Sequence, residues 1–191
     1  LLGNNAGTNV KDAVGATIIG GYAGRYASGS KNTFIGYATG DGATSSAPFS
    51  SGQYNTVVGA EAFDVFTTGN YNVAMGYQAL DAQTSGNDCV AIGNNAVGNV
   101  NTSNIIGIGS YAAHNGFGTG TTAIGYYAGY YSQTAGNTFV GYESGKGTGT
   151  AGYGNSTGLG YQALKGLTSG DDNTGIGYLA GFQLEGGHSN T

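Results

Sequence analysis

Tryptophan is absent from these 191 residues, proline and cysteine occur once each (Pro48 and Cys89), and charged residues make up only 8%. A single cysteine excludes an intrachain disulfide, and nothing basic lies beside Cys89 in sequence to activate its thiol. The two histidines, His114 and His188, stand far apart, and no histidines, cysteines or carboxylates show metal-ligand spacing. No metal, cofactor or enzyme chemistry is indicated. Gly145-Lys146-Gly147-Thr148 lacks the full spacing of a phosphate loop. Five basic residues, widely scattered, face ten acidic ones for a net charge of −5. That balance argues against a nucleic-acid partner. No run of eighteen apolar residues offers a membrane-inserting helix. The start, Leu-Leu-Gly-Asn-Asn, has no signal-peptide pattern and reads as an internal or processed fragment.

Glycine, by contrast, occurs forty times. Such a composition usually means disorder, but here the glycines fall at fixed places. Variants of Asn-Thr-x-(Ile/Val)-Gly-Tyr-x-Ala-Gly recur on the anchor glycines Gly3, Gly20, Gly36, Gly59, Gly76, Gly93, Gly109, Gly125, Gly141, Gly160 and Gly177. A period this short and steady predicts one stacked array over residues 1–191, eleven repeats of about 17 residues.

The residue before each anchor is aliphatic or Met, as in Ile19, Met75, Ile124 and Leu159. Three before it stand β-branched residues, mostly Thr, interrupted by Val73, Val90 and Ile106. The position between is apolar or small, as in Phe34, Ala123 and Gly158. This is a strand ending at glycine, and apolar residues on both faces predict that both are buried. The third residue after the anchor is never larger than Thr, so packing there is tight. Turn signals such as Ser85-Gly86-Asn87 close the repeat. Segments such as Tyr77-Gln78-Ala79-Leu80 are long enough for one helical turn and too short for a helix. The prediction is an all-β parallel solenoid or β-roll, with a partner chain covering the second apolar face, hence an oligomer and most simply a homotrimer.

Asn72-Val73-Ala74-Met75-Gly76-Tyr77-Gln78-Ala79-Leu80, Thr122-Ala123-Ile124-Gly125-Tyr126-Tyr127-Ala128-Gly129 and Asn173-Thr174-Gly175-Ile176-Gly177-Tyr178-Leu179-Ala180-Gly181 resemble repeats of tail-fibre-like proteins of phages, giant viruses and bacteria. A related pattern, similar in its Ala-Ile-Gly-x-x-Ala core, occurs in head domains of trimeric autotransporter adhesins. The resemblance covers nearly the whole chain through a short motif. It implies a trimeric extracellular fibre that touches host or prey surfaces. The chain departs from the adhesin heads in its longer repeat and in lacking a coiled-coil stalk, membrane anchor or C-terminal fibre chaperone.

Three groups of residues are candidates for contact with a surface glycan or protein receptor. Tyr37, Tyr77, Tyr126, Tyr142, Tyr161 and Tyr178 follow their anchors directly, either as an aromatic ladder for sugars or as packing at the coil edge. The stretched repeats at 41–52 and 146–154 carry Phe49 and Tyr153, on loops that bind a ligand or are merely tolerated. The threonine column suggests an ice-binding array, but strand parity sets it beside the aliphatic column and predicts that it is buried. Asp171-Asp172 reads as solvated charge in a turn. Asn101-Thr102-Ser103 and Asn155-Ser156-Thr157 match glycosylation acceptors. An extracellular fibre or adhesin segment is the first expectation, a purely structural filament subunit the second, and an ice-binding solenoid the third.

Overall fold

In the computed structural model, which describes residues 2–10, 13–42, 50–116, 118–149, 152–184 and 186–191, three-residue strands recur once per repeat. They are β1 (Thr17–Ile19), β2 (Thr33–Ile35), β3 (Thr56–Val58), β4 (Val73–Met75), β5 (Val90–Ile92), β6 (Ile106–Ile108), β7 (Thr122–Ile124), β8 (Thr138–Val140), β9 (Thr157–Leu159) and β10 (Thr174–Ile176). All ten lie in one parallel sheet in sequence order. Each residue pairs with its equivalent in the next repeat, Thr56 with Val73 and Val58 with Met75 for example. The first repeat adds a single bridge, Leu2 to Ile19. The fold is a β-solenoid, and at about 4.8 Å per rung its sheet is roughly 45 Å long.

Only one face of the sheet is internal. The middle residue of every strand is buried, and its neighbours on either side are half-buried or exposed. The second face, expected to be covered by a partner chain, is uncovered in the single chain. The coil closes over the middle residue alone, because Ala23, Ala62, Ala79, Ala112, Ala128 and Ala163 pack from the opposite wall with no exposure. The aliphatic column points outward, with Met75 43% and Leu159 47% exposed.

Interior volume is shared within each coil. Where the strand contributes a phenyl ring, Phe34 or Phe139, the fourth residue after the anchor is glycine, and a methyl on Gly40 or Gly145 would collide with that ring. Where the strand contributes Ala74 or Gly158, the same position holds Leu80 or Leu164, both buried. Close packing accounts for the trade in these four coils, while Val57 and Phe63, both large, are buried together in another.

The anchor glycines form a column with φ between 126° and 144°. At Gly93 a methyl would lie 2.6 Å from the Gly109 carbonyl oxygen, so neither the dihedral nor the space admits a side chain. The wall after the anchor has no helical turn. Its second and fourth residues are left-handed, Gln78 at φ 52° and Leu80 at φ 57° in the segment read above as a potential helical turn. The alternation sends successive N–H groups in opposite directions along the axis. Gln78 donates back to the Ala60 carbonyl at 3.1 Å, and Leu80 donates forward to the Ala96 carbonyl at 3.1 Å. These bonds hold non-glycine residues in a conformation that costs roughly 1–2 kcal/mol each.

Four residues before the anchor lies a buried asparagine ladder. Asn55 donates its Nδ2 to Asn32 Oδ1 at 3.1 Å and to the Gly69 carbonyl at 2.9 Å, and Asn72 repeats the pattern on Asn55 and Gly86. Each carboxamide thereby satisfies backbone groups of the turn and of the next coil, as burial requires. Cys89 takes the same slot, its N–H donating to Asn72 Oδ1 at 3.0 Å. It is buried, and that burial pushes its thiol up, away from a reactive thiolate.

Candidate functional site

Two exterior surfaces run the length of the rod. The first is the outer face of the sheet, made of the β-branched column, the aliphatic column and the tyrosines after the anchors. Tyr126, Tyr142, Tyr161 and Tyr178 form a continuous stack, with ring centroids 5.3, 5.1 and 5.4 Å apart and planes within 19° of parallel. Their ring faces are turned to one another inside the stack, while Tyr178 at its end is 75% exposed. A sugar needs a free ring face to stack on. Tyr37 instead meets Tyr22 edge-on at 5.8 Å. Tyr77 lies beside Glu61, and that hydrogen bond first, then desolvation, raises its phenol.

The threonine column is not buried. Thr17, Thr56 and Thr138 are exposed and the other threonines of the column half-buried, because the middle residue, not the column itself, faces the interior. The hydroxyl array therefore reaches solvent, flanked by an apolar column.

The second surface is built from the second and fifth residues after each anchor. It changes character along the axis. Near β1 and β2, Arg25 holds Asp41 at 2.6 Å, and its guanidinium is raised by that carboxylate. An acidic zone follows: Glu61, Asp64 and Asp81, with Gln78 Nε2 donating to Glu61 at 2.9 Å. Burial first, then the charges of Asp41 and Glu61, pushes the Asp64 carboxyl up to about 6. Next come aromatic groups. Tyr111 stacks on Tyr127 at 4.9 Å, and His114 stacks on Tyr130 at 5.5 Å with its imidazole lowered by desolvation. Beyond them Lys146 and Lys165 both reach Glu143, at 2.7 and 2.6 Å, with Gln162 as a third donor at 2.8 Å. Against its own desolvation, these donors hold the Glu143 carboxyl down at about 2.

The two loop candidates separate. Phe49 lies outside the described residues. Tyr153 is fully buried, against Phe139 at a centroid distance of 6.0 Å, and its hydroxyl donates to the Gly145 carbonyl at 2.7 Å. It fills the coil interior and cannot meet a foreign surface, which corrects its reading as a contact residue. A Cβ on Gly147 would come within 3.0 Å of the Tyr153 hydroxyl, so the longer repeat folds part of its insertion inward. Asp171 is not merely solvated, since its carboxylate accepts from the Gly154 N–H at 2.6 Å.

Among the described residues no three histidine, cysteine or carboxylate groups gather to hold a metal ion, and no helix is long and apolar enough to cross a membrane. No family model, curated protein or solved structure matches this chain. Sequence reasoning missed the second surface. Its members are 16 to 23 residues apart in the chain and come together only when the repeats are stacked and read down a column.

Proposed function

We propose that this chain is a segment of an extracellular fibre or adhesin, a rod that trimerises through the outer faces of its sheets and presents its remaining surface to a host, prey or cell surface. The observation that carries this reading is the outward aliphatic column, repeated on every strand. An apolar stripe of that length, unbroken by charge, marks an interaction face in a soluble protein. Close approach of three such faces would bury Ile19, Met75, Ile92 and Leu159 together with the tyrosine stack, replacing water with the contact that each rung lacks alone. The repeat resemblance supports the extracellular setting and the three-fold state.

Multi-angle light scattering tests it on the parent and on Ile124→Asp. A monomer weighs 19.0 kDa. In high salt, which screens contacts between charged surfaces, the parent should show three times that mass, and Ile124→Asp should run as a folded monomer. A parent that stays monomeric at micromolar concentration, or a variant whose mass is unchanged, rejects the trimer. In a monomer, thermal hysteresis during ice growth would assign the outward threonines to ice instead. Cell or glycan binding separates an adhesin from a purely structural filament.

A further inference from the structure

The fifth residue after each anchor, followed from β3 to β9, reads Asp64, Asp81, Gly98, His114, Tyr130, Lys146, Lys165. Counted from His114, the acids lie three and two rungs to one side and the lysines two and three rungs to the other. Three rungs are about 14 Å. Charge is thus arranged with opposite signs at equal distances from one coil. From this order we infer that two copies of this chain pack antiparallel through the second surface, about a two-fold axis at His114.

In that arrangement Asp64 faces Lys165 of the second copy, and Asp81 faces Lys146. His114 meets its own equivalent, and Gly98, with no side chain to obstruct, lies opposite Tyr130. An isologous contact makes each pairing twice and closes on itself. The acidic zone is suited to this. Among the described residues no lysine or arginine forms an ion pair with Glu61, Asp64 or Asp81, and Arg25 is committed to Asp41. Each lysine of the opposing zone bonds Glu143 and lies over an aromatic ring, Lys146 over Tyr127 at 4.5 Å and Lys165 over Phe182 at 5.9 Å, and an ammonium has three donors in all. Two lysines against one glutamate leave that zone net positive, in a chain whose total charge is −5. A parallel pair staggered by five rungs would also bring lysines to acids, but it makes each contact once, overlaps half the rod and leaves both zones open for further copies. The contact lies on a different surface from the outer sheet face, so it stands or falls separately from the trimer.

Single-cysteine variants decide the geometry, in a Cys89→Ser background because Ser156 already occupies the equivalent slot of another coil. With a short bis-maleimide, His114→Cys should give a covalent dimer, Asp64→Cys alone should not, and an equal mixture of Asp64→Cys and Lys165→Cys should. Association should weaken as salt is raised, since pairs at a solvated interface are screened within about 10 Å at 0.1 M. Lys165→Glu should raise the dimer Kd by about tenfold or more, and Asp64→Lys combined with Lys165→Glu should recover it. Melting curves confirm that each variant is folded. Self-crosslinking of Asp64→Cys, or crosslinking of Asp64→Cys to Lys146→Cys without a His114→Cys dimer, overturns the antiparallel pair in favour of an in-register or staggered parallel one. Trimers that show none of these crosslinks leave the proposed fibre intact and reject this contact.

Discussion

The two long surfaces of the rod differ in how much positional information they hold. On the outer sheet face one rung is nearly interchangeable with the next: a β-branched residue, an aliphatic residue and often a tyrosine. On the turn surface no zone repeats, and charge runs from the acids at Glu61, Asp64 and Asp81 to the lysines at 146 and 165. A uniform apolar face supplies association energy but tolerates sliding by whole rungs, as a weakly patterned strand tolerates slippage. Placed charges contribute less energy and fix register, because a shift of one rung unpairs them. If both proposed contacts form, energy and alignment come from different walls of the same coil.

The sharpest test of this division uses adjacent residues. Ala123 is fully buried and Ile124 points outward. Ala123→Asp should abolish the cooperative melt, since an unpaired carboxylate enters the interior. Ile124→Asp should melt as a folded chain that has lost association through the sheet face. Circular dichroism melts separate the two, and if both variants unfold alike the outer face belongs to the core. Between the walls lies the asparagine ladder, which serves neither surface directly. Asn72→Ala strands the Gly86 carbonyl and the Cys89 N–H, and it should lower stability by about 2–4 kcal/mol in denaturant titrations without changing oligomeric mass.

A smaller effect belongs to the charged wall. The raised Asp64 carboxyl means that the folded chain holds this proton more tightly than the unfolded one. Its contribution is full below the ordinary carboxylate value near 3.8 and is lost as pH rises through about 6. Asp41, Glu61 and Asp81 favour the proton and Arg25 opposes it. Between about pH 4 and pH 7 the melting temperature of the parent should therefore fall relative to that of Asp64→Asn. A constant difference between the two would deny that Asp64 titrates in this window. The smallest expected change is a gain. Gln78→Gly releases a left-handed residue and should stabilise the monomer by roughly 0.5 kcal/mol, after loss of its bond to Glu61 is subtracted.

Period, strand triplet and glycine bend were legible because identical residues return at identical places. The inward direction was not, because Ala123 and Ile124 are both apolar and hydropathy alone cannot tell interior from interface. A signal existed. Phe34 with Gly40, Phe139 with Gly145, Ala74 with Leu80 and Gly158 with Leu164 trade volume across the coil, and the column at Ile124 shows no such trade. Tyr153 was misplaced for a related reason: an insertion suggests an exposed loop, whereas this one turns its ring inward against Phe139 and its hydroxyl onto the Gly145 carbonyl. The zoned surface stayed hidden because each of its neighbours belongs to a different repeat.

The two-way hydrogen bonding of the turns makes the coil a unit of length. Among the described residues each coil bonds the one before and the one after, back through residues such as Gln78 and forward through residues such as Leu80. Gain or loss of one whole repeat would lengthen or shorten the rod by a single rung of about 4.8 Å and leave the remaining bonds as they are. Reach is then adjustable in fixed steps by duplication or deletion, without redesign of any coil.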